Sequence, residues 1–232
     1  MVSDGIQAIV PMNRQDAGNI GLRNATRTEF TKRGGSVSAG VEYAATATSF
    51  TTPIATLTTQ VATAIAQHGV SKVGVYLAAF DEVVDIFNLA TQNPTLSSVK
   101  WYGSDGVALT TALLGNATAA DFAVRAGYPN PIFGLDESAR DNWSPLAAEI
   151  KLRSGTDPDA FALAVYDAVW VAAEAYVAAG EDADIATLKE RFVTAANAHF
   201  GATGWTALDA AGDRKHADFD FWALRKSGAV TA

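Results

Sequence analysis

The run Val73-Gly74-Val75-Tyr76-Leu77 constrains the fold more than any other stretch of the chain. A short continuous apolar segment of this kind reads as a strand buried on both faces. Such strands belong to parallel sheets, whose crossover connections place helices against the sheet. The flanking sequence meets that requirement, because strand and helix signals alternate through the whole first half.

Ile6 to Val10 reads as a first strand ending at Pro11, followed by a polar, glycine-containing loop through Gly18. Leu22, Ala25, Thr26, Glu29 and Phe30 then suit a helix that Gly34-Gly35 stops. Val37, Ala39, Val41 and Tyr43 alternate with small or polar residues as one second strand. Ile54, Leu57, Val61, Ala62 and Ile65 mark a helix closed by Gly69, and the buried strand follows. Asp81 stands where a cap belongs for the next helix, whose Val83, Val84, Ile86, Phe87 and Ala90 form a core-facing stripe. Val99 to Tyr102 is a further strand, leading through Gly103-Ser104-Asp105-Gly106 to a helical stretch around Leu109 to Leu114. The fold class is therefore α/β, a Rossmann-like parallel sheet flanked by helices.

The character changes at Tyr128-Pro129-Asn130-Pro131, which suits a crossing between lobes. Helices follow at Pro145 to Arg153, Ala160 to Ala179 and Ile185 to Ala198, then a turn at Ala211-Gly212-Asp213 and a strand from Phe219 to Leu224. The run from Ala160 to Ala179 is the one membrane candidate, but Asp167 and Glu174 interrupt it, so it reads as an interior helix between layers. A length of 232 residues allows one large domain or two small lobes.

Seventeen Lys and Arg against 25 Asp and Glu give a net charge of -8, which argues against a nucleic-acid partner. Cysteine is absent, removing thiol nucleophiles and cysteine-ligated metals, and only His68, His199 and His216 remain for imidazole chemistry. No G-x-S-x-G elbow, P-loop or G-x-G-x-x-G occurs, and no spacing nominates a nucleophile with its base, so an enzyme is not expected. His216, Asp218 and Asp220 alternate as along one strand face, but a solvated hairpin end explains them, and neither metal nor cofactor is expected. Asn24-Ala25-Thr26 and Asn116-Ala117-Thr118 fit the short glycosylation triplet. The opening MVSDGIQAIVPM does not read as a secretory signal, because it lacks a basic start and its apolar run breaks at Pro11.

Open parallel sheets bind ligands beyond the carboxyl ends of their strands, here the loops after Val10, Leu77 and Tyr102. These loops present Asn13, Arg14, Asp16 and Gly18, then Ala79, Phe80 and Asp81, then Ser104, Asp105 and Gly106. One aromatic wall, two or three carboxylates and free amides suit a small zwitterion better than a phosphate. Asp16 and Asp81 have competing roles as helix caps, and Asp105 as a turn former.

Gly34-Gly35-Ser36-Val37 with Val41-Glu42-Tyr43, Thr48-Ser49-Phe50, Phe80-Asp81-Glu82, Trp101 to Gly106, Tyr166-Asp167-Ala168, and the tail from Gly201 through Gly212-Asp213-Arg214 to Trp222 follow one another in a distinctive order and spacing. Together these segments resemble the type I periplasmic binding proteins, specifically the branched-chain amino acid receptors of ABC importers. The resemblance implies two lobes that close on a ligand. It places residues 1–128 with 215–232 in a second ligand-binding lobe, and 129–214 in the helical remainder of the first lobe with its hinge crossings. The opening half of the first lobe is expected to be missing.

The resemblance further implies that Asp105 pairs with the ligand ammonium, with Ser104 and Gly106 beside it. A walling aromatic falls on Ala79 or Phe80, with Phe80 the better chemistry. A family tyrosine beside Asp16 falls on Ala17, which opens the pocket to a larger or more polar amino acid, or an amide. The implied function is an extracytoplasmic receptor, periplasmic or at the cell surface, that hands an amino acid to an ABC permease. The alternative is a sensory or regulatory domain of the same fold. A homodimer through exposed first-lobe surface is the remaining partner expected.

Overall fold

The computed structural model describes residues 1–227, 230 and 231. The chain forms two compact units, Met1–Ile132 with the tail from Phe221, and Phe133–Asp220. Of the expected closing segment 215–232, residues 228, 229 and 232 lie outside the described residues.

The first unit is built on a parallel sheet. Strand β1 (Ala8–Gln15) leads to helix α1 (Ala17–Lys32), then to the short strands β2 (Ser36–Val37) and β3 (Val41–Ala44). Helix α2 (Thr51–His68) carries the chain to β4 (Val73–Ala78), followed by α3 (Val83–Ala90), α4 (Pro94–Ser97) and β5 (Lys100–Tyr102). Helices α5 (Thr111–Leu114) and α6 (Ala117–Ala126) complete the unit before β6 (Asn130–Phe133). The sheet order is β2-β1-β4-β5, with β3 also on β1, and every pairing is parallel.

All six residues of β4 are buried, as its apolar run demands. One sheet face packs Val10, Met12, Val75, Leu77 and Trp101 beneath α2, α3 and α6. There Phe87, Trp101, Phe122 and Tyr128 meet with ring centroids 4.7–5.4 Å apart, in the edge-on and tilted arrangements that aromatic quadrupoles favour. The other face sets Ile9, Tyr76 and Tyr102 against Phe30 of α1. Helices thus lie on both faces of the sheet.

Pro11 does not end the first strand. Ile9 accepts from the Ser38 amide, so Pro11, two residues on, turns its bonding side the same way. That side is where β2 has stopped pairing, at Ile9, and β3 has yet to begin, at Met12. The missing donor falls in the gap between two partners. Gly40 crosses that gap with φ 83°, so close that a Cβ would sit 2.7 Å from Pro11. Its amide donates to Gln60 Oε1 and its carbonyl accepts from Gln60 Nε2, both at 2.8 Å. A side chain of α2 therefore satisfies the backbone that β1 cannot. The same crossing divides the expected second strand, Val37 to Tyr43, into β2 and β3.

Two further expectations change. The Asp81 carboxylate does not cap α3, because it accepts from the Thr110 hydroxyl at 2.6 Å. Helix α6, unforeseen from the sequence, starts at Asn116, whose side chain accepts from the Ala119 amide at 3.0 Å. It ends at Gly127 in the left-handed region.

The second unit contains α7 (Arg140–Ser154), which begins before the expected Pro145, α8 (Ala160–Ala179), α9 (Ile185–Ala198) and the hairpin of β7 (Phe200–Gly201) and β8 (Gly204–Trp205). Strand β9 (Phe219–Trp222) is shorter than expected from the sequence. Asp167 of α8 is buried and accepts from the amides of Ala202 and Thr203, each at 2.7 Å, and from the Thr203 hydroxyl at 2.5 Å. This fastens the hairpin to the helix. Arg214 closes the network by donating to the Thr203 hydroxyl and carbonyl.

Helix α8 is not interior. Only Leu163, Asp167, Val171 and Ala175 are buried, while Val165, Val169, Trp170, Tyr176 and Val177 are exposed, Val177 to 80%. By length and composition alone the helix is apolar enough to cross a membrane. Among the described residues of this unit, only three long helices and short strands are present, too little to cover a helix that is apolar all round.

Candidate functional site

The order of the sheet determines where a ligand can sit. From β1 the chain crosses by α1 to β2 on one side; from β3 it returns by α2 to β4 on the other. Connections that diverge from one central strand leave a crevice at the carboxyl ends of the two middle strands. Those ends are Gln15 of β1 and Ala78 of β4, with the loop after β5 beside them.

Because β1 runs to Gln15, its loop is shorter and begins further along than the sequence suggested. Asn13 is buried within the strand, and Arg14 and Asp16 mark the rim. Asp16 caps α1, accepting from the Asn19 amide at 2.9 Å and from its side chain at 2.8 Å. These bonds, with Arg14 nearby, hold its carboxyl below the usual range. Ala17 is the exposed first residue of α1.

The β4 loop separates its two candidate residues sharply. Ala79 is fully buried, its methyl in the core, whereas Phe80 is 42% exposed. The Arg14 guanidinium lies over the Phe80 ring, 5.2 Å from its centroid. Arg14 also reaches Asp16 at 3.3 Å and Glu82 at 3.6 Å. The Tyr43 hydroxyl donates to Glu82 at 3.0 Å. Burial, followed by the Glu82 charge, drives the Tyr43 phenol far above its ordinary value, so it remains a donor.

In the β5 loop, Ser104 is buried with a hydroxyl that has no hydrogen-bond partner among the described residues. Asp105 opens a tight turn, Asp105–Val107, and its side chain is exposed. Among the described residues, no hydrogen bond or ion pair engages that carboxylate. Gly106 brings this loop against the previous one: a Cβ there would stand 2.6 Å from the Ala79 carbonyl and 2.9 Å from the Phe80 ring. Phe80, Ala79 and Gly106 are thereby in one place, with Asp105 adjacent in sequence. Asp16 and Ala17 join them only through Arg14, which bridges from Asp16 to Phe80.

Sequence reasoning placed Arg14 in a loop but assigned no role to the Arg14–Glu82–Tyr43 chain. Tyr43 and Glu82 are 39 residues apart, and no local pattern announces their bond. The arrangement offers one open carboxylate, one cation-backed aromatic surface and a buried hydroxyl. That set can hold an ammonium and an apolar or polar side chain. Among the described residues, no group of three His, Asp or Glu is placed to hold a metal ion.

No family model matches the chain. It is 28% identical, over 97% of its length, to an uncharacterized protein of Methanocaldococcus jannaschii, of which it covers 54%. A leucine-binding protein from Thermotoga maritima superposes with a TM-score of 0.66 at 20% identity, over 98% of this chain and 59% of that one. A solute-binding protein of an ABC transporter from R. palustris, solved in complex with benzoate, gives 0.65 at 17% identity, over 100% and 59%. A substrate-binding protein from Desulfitobacterium hafniense, in complex with Leu, gives 0.57 at 16%, over 99% and 61%. The chain therefore spans between half and two thirds of the length of these proteins. Over nearly all of its own length it has the fold of ABC-transporter solute-binding proteins, branched-chain amino acid binding proteins among them.

Proposed function

We propose that this chain is the ligand-binding part of an extracytoplasmic receptor that takes up an amino acid or related small zwitterion and presents it to an ABC permease. The observation that carries this reading is the junction of the β4 and β5 loops, where Gly106 packs on Ala79 and Phe80 and leaves the Asp105 carboxylate open. Asp105 receives the ligand ammonium, and an ion pair of this kind strengthens as water leaves the crevice. Phe80, backed by Arg14, walls the ligand side chain, and Ala79 contributes its backbone. The Ser104 hydroxyl and the Gly106 backbone border the carboxylate. Asp16 and Ala17 form the opposite rim, where the small Ala17 leaves room for a ligand larger or more polar than leucine.

The role is binding and delivery, not turnover. A ligand held by this face and also by a second lobe favours the closed form and shifts the population towards it. The fold shared with leucine-binding and benzoate-binding proteins supports this reading. Calorimetric titration with a panel of amino acids tests it. We expect saturable binding that weakens at least about tenfold in Asp105→Ala, the equivalent of about 1.4 kcal/mol. Equal affinity in the variant, or no binding by the chain, would overturn the assignment.

A further inference from the structure

Arg14 stands near the end of β1 between two carboxylates that are each fastened without it. Asp16 is held at the start of α1 by the amide and the side chain of Asn19, and its Oδ2 lies 3.3 Å from the guanidinium. Glu82 immediately precedes α3, whose unpaired first amides favour a negative charge there. Its Oε1 accepts from the Tyr43 hydroxyl at 3.0 Å, and its Oε2 faces Arg14 at 3.6 Å. The Tyr43 ring is buried and meets Phe50 edge-on at 5.1 Å, so the phenol is fixed in turn. The anchors come from the core and the helix starts, and Arg14 is the group they position.

The guanidinium lies over the Phe80 ring, 5.2 Å from its centroid, while Gly106, next to Asp105, presses on the same ring. One aromatic side chain thus stands between the cation and the loop that carries the open carboxylate. Among the described residues of segments 14–17, 79–82 and 103–110, Arg14 is the one cation, against Asp16, Asp81, Glu82 and Asp105. With Arg14 shared between two carboxylates, these segments keep nothing to neutralise a second acid group on a ligand. A free guanidinium would grip such a group through paired N–H bonds, whereas here an acid brought to the Phe80 wall meets like charge.

We infer that Glu82, held by Tyr43, is a positioning residue that determines specificity, given the receptor function proposed for this crevice. By keeping Arg14 on the Phe80 ring it closes the site to amino acids with an acidic side chain and leaves it to those with a neutral polar one.

Glutamine and glutamate share a shape and differ by one charge, so calorimetric titration of the intact chain with each provides the test. We expect the parent to prefer glutamine at least tenfold. Glu82→Gln, which keeps an oxygen for Tyr43, should bring the preference below threefold, chiefly through tighter binding of glutamate. Adding Arg14→Gln to that variant should restore at least tenfold, a rescue that structural damage alone cannot produce. Asp16→Asn, which retains a capping side chain, should relax the preference in the same direction as Glu82→Gln. Asp81→Asn removes an equal charge from a carboxylate bonded to Thr110, and should leave the preference within threefold of the parent. Equal binding of the two ligands by the parent, an unchanged preference in Glu82→Gln, no rescue in the double variant, or the same relaxation in Asp81→Asn would overturn this inference and leave the receptor function standing. Leucine bound with neither probe bound would do the same, and no binding of any amino acid would overturn both.

Discussion

Replacing Asp167 by alanine removes an acceptor on which three donors converge. Of these, the Thr203 hydroxyl still accepts from Arg214 at 2.8 Å and can rotate its proton towards water. The amides of Ala202 and Thr203 are fixed in the backbone and have no such freedom. A buried donor left unsatisfied costs roughly 1–3 kcal/mol, so two cost about 2–6 kcal/mol before relaxation. The β7–β8 hairpin is short and the vacated space admits water, which brings the expected loss to about 3 kcal/mol, rather more than 100-fold in the equilibrium for local opening. Because the chain has two units, a single unfolding transition is the wrong readout. Hydrogen exchange at the Ala202 and Thr203 amides measures the opening directly. Asp167→Asn leaves one oxygen for two amides and turns an NH2 group towards the other, so it should recover less than half of the loss. Exchange at both amides accelerated less than threefold in Asp167→Ala would refute the idea that this carboxylate holds the hairpin.

The Asp16 cap should be worth about 1 kcal/mol to the first unit, read as the difference in urea midpoint between the parent and Asp16→Ala. Its folded carboxyl is lowered relative to the unfolded chain, so the contribution is complete above about pH 4 and disappears as pH falls further; a difference that instead grows on acidification would contradict this. The exposed apolar face of α8, with Val165, Val169 and Val177 uncovered, should drive self-association of the chain. Light scattering should show dimers or larger species that Val169→Glu with Val177→Glu disperses, and a compact monomer at high concentration would count against it.

Much of the first unit is legible in the sequence because its signals are local. The β4 run needs no partner to be recognised, and the stripe from Val83 to Ala90 has helical spacing within a few residues. The errors have a common physical cause, namely that the deciding partner is distant. Pro11 reads as a terminator until the strands on its open side are seen to part around it. Asp81 reads as a cap until Thr110, 29 residues away, takes its carboxylate. Helix α6 has its cap and its terminating glycine in plain view, but its alanines give almost no hydrophobic period between Phe122 and its neighbours. Helix α8 shows the converse. Its composition points to burial, but composition cannot supply the surface to bury against, and most of the helix is exposed. At the site, loop positions followed from strand ends, whereas the Arg14–Glu82–Tyr43 chain depended on tertiary contacts that no spacing encodes.

The crossing of Gly40 over Pro11 has a consequence for how the sheet is assembled. A parallel strand can ordinarily slide by two residues along its neighbour and recover the same bonds. Neither β2 nor β3 has that freedom, since a shift of either towards the gap would set a carbonyl opposite a nitrogen with no proton and drive Gly40 into the proline ring. The proline thus works as a stop between two short strands, and Gln60 as the latch that holds the intervening backbone down. Register errors on this edge are penalised from both directions, and the height at which β1 delivers Arg14 and Asp16 to the crevice is set several residues before the crevice is reached.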